Sequence, residues 1–90
     1  MTPTQASHLD TLANQLGTAA LTTLIRLCPE IRTASDELRE AVCAAMRAKS
    51  GAAIDELLED GRACPWMAET IFACAVMTLA HEGVKVLRGH

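Results

Sequence analysis

Apolar residues recur at three- and four-residue steps through most of this 90-residue chain. Leu9, Leu12, Leu16, Ala20, Leu24 and Leu27 fall on one narrow stripe at the roughly 100° per residue of an α-helix. Leu21, Ile25 and Cys28 add a second stripe. Thr2-Pro3-Thr4-Gln5 reads as a helix start, with Thr2 as N-cap, Pro3 as first helical residue and Gln5 completing a capping box. Gly17 interrupts this pattern at a cost of about 1 kcal/mol against Ala, and Pro29 ends it. Thr33 or Ser35 can cap a second helix, whose apolar positions are Leu38, Ala41, Val42, Ala45 and Met46. Gly51 suits the position just past its end. A short helix, "AAIDELLED", follows and stops at Gly61. Pro65 then opens a last helix faced by Phe72, Val76, Leu79, Gly83 and Val86, a face widened by Met67, Ile71, Cys74 and Ala75.

The pattern therefore predicts an all-α, compact four-helix domain over 1–90, largely antiparallel, with helices near 3–28, 34–50, 52–60 and 65–88. The first and last helices are expected to form the core and the two acidic ones to lie against them. Composition agrees with helix. Val and Ile total eight, aromatics two, and sixteen residues are Ala. An Ala-rich core removes little apolar area per residue, so a chain this short is expected to gain stability by pairing with a copy of itself or another partner.

Charge narrows the function classes. A net charge of −3 and no basic patch argue against direct nucleic-acid binding. Two acidic stretches stand out, "DELRE" at 36–40 and "DELLED" at 55–60. On a helical wheel both sets of carboxylates turn away from the neighbouring apolar residues. The motifs D-E-x-x-E at 36–40 and E-x-x-E at 56–59 bear a degenerate likeness to the E-E-x-x-E and E-x-x-D with which the all-α nucleotide pyrophosphohydrolases hold Mg²⁺. That likeness implies, as the alternative function, a Mg-dependent enzyme using both clusters.

The second acidic stretch differs from the first. Asp36 can meet Arg39, whereas residues 51–60 carry four acids and no base. Asp55/Glu59 and Glu56/Asp60 are like-charge pairs four residues apart, each slightly destabilising. A local cost without local compensation points to a basic partner surface. The same acids oppose a helix-turn-helix reading of residues 37–61 with Gly51 in the turn, because the recognition helix would present carboxylates to phosphate.

Cys28, Cys43, Cys64 and Cys74 lack metal-finger spacing, and no metal or cofactor is expected. Cys43 and Cys74 read as core thiols. Cys64, just before Pro65 at a helix start, is the candidate reactive thiol. Residues 63–80 hold one charge, Glu69, but Pro65 leaves a run shorter than the ~20 residues of a bilayer span. The expectation is a small non-catalytic cytoplasmic module, a regulator, adaptor or inhibitor. It is expected to be homodimeric, with no membrane contact, and to bind a basic protein surface through Asp55, Glu56, Glu59, Asp60 and Trp66. A narrower version is an acidic inhibitor that blocks a nucleic-acid-binding protein.

Overall fold

A computed structural model of the chain describes residues 2–89. Three long helices carry nearly all of it: α1 (Pro3–Leu27), α2 (Asp36–Ala63) and α3 (Ala68–Arg88). Pro3 opens α1 as expected. The Gln5 side chain, and with it the capping box, lies outside the described residues. Ser35 caps α2, its hydroxyl accepting the Leu38 N–H at 3.1 Å. Gly89 closes α3 in the left-handed conformation (φ 74°) that glycine adopts without penalty.

The expected second and third helices are one. Gly51 does not end α2, because the buried stripe runs through it in phase. Val42, Met46, Ala53 and Leu57 all face inward from a single helix about 42 Å long. Gly51 is exposed, so its propensity cost of about 1 kcal/mol is outweighed by continuous burial against α3. Gly17 and Gly61 likewise sit inside helices. With no turn at Gly51, the helix-turn-helix outline is also absent.

Proline stops both α1 and α2, and it does so in the same way twice. A residue before proline is pushed out of helical geometry. Cys28 (φ −132°, ψ 75°) and Cys64 (φ −134°, ψ 71°) adopt nearly identical backbones. In each, the Cys N–H donates four residues back at 2.8 Å, to Leu24 or to Asp60. The carbonyl of each Cys then accepts the N–H of the third residue on, Ile31 at 3.1 Å and Met67 at 2.9 Å. Short 3-10 turns, Pro29–Thr33 and Pro65–Met67, complete the corners.

The helices run up, down and up. Leu12 of α1 lies by Phe72 of α3, while Leu24 lies by Gly83. Val42 and Met46 of α2 also reach Gly83, and Leu57 reaches Ile71. α3 is central, most broadly packed against α2, then α1, whereas α1 and α2 touch little. Leu16, Ala20, Leu24, Cys28, Val42, Leu79 and Ala80 are almost wholly enclosed. Gly83 is where the three helices close up. A Cβ there would stand 3.0 Å from Met46 Sδ, 3.1 Å from Leu24 Cδ2 and 3.2 Å from Val42 Cγ1.

Several inward expectations are corrected. Leu27 is half exposed because Cys28 continues the Leu16–Ala20–Leu24 row in its place. Ala41, Met67 and Cys74 are exposed, and Cys43 is only partly buried. With α1 and α2 covering one side of α3, residues expected to widen its inner face lie on the open side instead.

Candidate protein-binding surface

Two adjoining features form the candidate surface: the C-terminal half of α2 and the Cys64 corner. Leu57 is buried, and the wheel fixes the rest. Asp55 and Glu59 stand opposite Leu57 on the crest of the helix. Glu56 and Asp60 fall together on one flank, and Leu58 and Arg62 on the other. Glu56 and Asp60 form the wall of a cleft of about 190 Å³ between α2 and α3, with Met67, Thr70 and Cys74 opposite. On the other flank Leu58 and Arg62 border a wider hollow of about 500 Å³ that reaches Leu12 and Phe72.

The two acidic stretches, three carboxylates at 36–40 and four at 55–60, differ electrostatically. In the first, Asp36 is bonded to Arg39, and Glu40 accepts Arg47 at 2.9 Å. In the second, Asp55, Glu56, Glu59 and Asp60 are all exposed, and none makes an ion pair among the described residues. Arg62 follows them in the last turn of α2, on the side away from Glu56 and Asp60.

Trp66 is 80% exposed and Met67 43%. They lie beyond the end of α2, and Met67 shares the cleft of Glu56 and Asp60. Large apolar side chains next to uncompensated charge are what a recognition surface has and a solvated helix face lacks. Cys64 is partly buried. It ends α2, and only a three-residue 3-10 turn, not α3 itself, follows it. The five residues expected to bind a partner, Asp55, Glu56, Glu59, Asp60 and Trp66, are all exposed, and so are Met67 and Leu58, which helical spacing assigned to apolar faces.

The carboxylates do not converge. Both stretches lie on one helix, so Glu40 and Glu56 are about 24 Å apart along its axis. Two facing helices are what a shared Mg²⁺ site of the pyrophosphohydrolase kind needs. No three His, Cys, Asp or Glu side chains lie close enough together to hold an ion among the described residues.

The segment Pro65–Arg88 differs from expectation in length. Counted together, the 3-10 turn and α3 make 24 residues with mean hydropathy 1.4 over the most apolar window, long and apolar enough to cross a membrane. In this fold the segment is the central helix, packed against both others. Compared with protein-family models, curated proteins and solved structures, the chain matches none.

Proposed function

We propose that this chain is a small non-catalytic protein-binding module of the cytoplasm, a regulator, adaptor or inhibitor. It self-associates through apolar helix faces and offers the acidic end of α2 to a basic protein surface. One observation carries the reading: four exposed carboxylates make no ion pair among the described residues, and an 80% exposed Trp66 follows shortly after the helix that bears them. Charges of one sign steer a complementary partner, and an aromatic side chain anchors it.

The reading is tested by capturing host proteins on the immobilised chain and repeating the capture with Asp55→Lys/Glu59→Lys and with Trp66→Ala. Loss of the same captured protein in both variants supports it. Undiminished capture by both makes the acidic end ordinary surface. The narrower reading, an inhibitor occupying a nucleic-acid-binding site, requires in addition that heparin compete the captured protein away.

A further inference from the structure

The most apolar helix of this molecule is also open along one whole side. Thr70, Ala73, Cys74, Met77, Thr78 and His81 are exposed on α3, and residues 70–81 contain no Asp, Glu, Lys or Arg. Thr78 turns its hydroxyl back to the Cys74 carbonyl at 2.9 Å, which leaves its methyl outward. Met67, Thr70, Cys74, Met77 and His81 follow one another at alternating steps of three and four residues. That is the spacing of a seam between two helices.

The charges bounding this seam have opposite signs at its two ends. At the N-terminal end Glu56 and Asp60 wall the cleft that holds Met67, Thr70, Cys74 and Thr78. At the C-terminal end Lys85 and Arg88 are exposed. An antiparallel pairing about Met77 sets residue 85 of one copy level with residue 69 of the other, and residue 88 level with residue 66. That is the end of α3 that shares the cleft with Glu56 and Asp60, so each copy's Lys85 and Arg88 come over the other copy's Glu56 and Asp60. Opposite charges would meet at both ends, whereas a parallel pairing would set acid on acid and base on base. The internal bonds of these bases, Lys85 to Glu82 at 3.3 Å and Arg88 to Glu30 at 3.4 Å, are long and solvated, so releasing them costs little.

We propose that the outer face of α3 is the seam of an antiparallel, two-fold symmetric homodimer, clamped at each end by Lys85 and Arg88 of one copy against Glu56 and Asp60 of the other. A second copy fits better than lipid, because a bilayer would cover Met77 but has no counterpart to the acid–base reversal along the seam. This inference rests on the self-association in the proposed function and specifies its geometry. It leaves Asp55 and Glu59, on the crest of α2, free for another protein.

Sedimentation velocity on the full chain under reducing conditions tests it. The wild type sediments at twice its 9.6 kDa mass. Met77→Glu, a change at a half-exposed position, yields monomer with unaltered helicity and a melting temperature that is lower than the wild type's and no longer rises with protein concentration. Lys85→Glu/Arg88→Glu and Glu56→Lys/Asp60→Lys each weaken pairing by about tenfold or more. Mixed in equal amounts they restore it, since every clamp in the mixed dimer is again acid against base.

A monomeric wild type would overturn both this inference and self-association. A dimer that survives Met77→Glu would keep self-association and remove α3 as its seam. A mixture that stays monomeric would overturn the antiparallel clamp. Flotation of the wild type with phosphatidylcholine vesicles, in place of dimer formation, would assign the face to lipid and overturn the proposal.

Discussion

The Cys28 and Cys64 corners share a backbone and differ in what they do with it. Each has Cys-Pro, a 3-10 turn, the same cap hydrogen bond and almost the same dihedral angles. In the first, Cys28 is 0% and Ile31 5% exposed, and Glu30 reaches Arg88 at 3.4 Å. In the second, Trp66 occupies the position of Glu30 and Met67 that of Ile31, and both apolar side chains face solvent. Local geometry is therefore no guide to burial. The first corner closes the end of the bundle where the helices converge on Gly83. The second closes the end where Phe72 and Leu57 leave clefts. One turn serves the core, and the other displays side chains.

The widest gap between the corners should be at their third residue after cysteine. Ile31→Ala removes a buried side chain and is expected to cost about 2–4 kcal/mol in urea unfolding, whereas Met67→Ala costs less than about 1 kcal/mol. Equal losses would mean that the second corner is as much core as the first.

The cysteines should differ next. Cys28→Ser places a hydroxyl in a fully enclosed position and is expected to cost about 1–3 kcal/mol by thermal melting, against a few tenths for Cys64→Ser. Where the corners agree, they should agree in energy too. Pro29→Ala and Pro65→Ala each loosen the unfolded chain alike and are expected to lower stability by a similar ~0.5 kcal/mol. A several-fold difference would show that the shared backbone is not equally required.

The smallest effect is a pH response confined to the first corner. The Glu30 carboxyl is held below its ordinary value, chiefly by a backbone hydrogen bond and then, against slight desolvation, by Arg88. A carboxyl lowered in the folded state contributes stability above its unfolded value, and that contribution fades as pH falls through the lowered one. Acid titration followed by NMR should therefore shift Ile31 signals, before any unfolding, at a pH below the ordinary carboxylate range. Glu30→Gln should abolish the shift.

Helix content, the stop at Pro29 and the inward row of Leu16, Ala20 and Leu24 were legible in the sequence, because each is a local pattern; the cap of α2 was narrowed to Thr33 or Ser35, and its end was placed at glycine rather than before Pro65. The union of the second and third helices was legible in principle. Val42, Met46, Ala53 and Leu57 keep one phase across Gly51, and that phase outweighs the glycine. The exposure of Met67, Cys74 and Met77 was not legible. Periodicity finds an apolar face but not whether a neighbour covers it, and α1 and α2 together cover only one side of α3. The acidic residues could be placed on a face from spacing alone, yet their lack of cationic partners emerged only from the fold.

Gly83 gives the molecule a fulcrum. Having no side chain, it lets Leu24, Val42 and Met46 pinch together at one end, much as a peg is sprung at its pivot. The opposite end carries Trp66 and the unpaired carboxylates. A bulkier residue at position 83 would therefore pry the three rods apart at their pivot, far from those side chains.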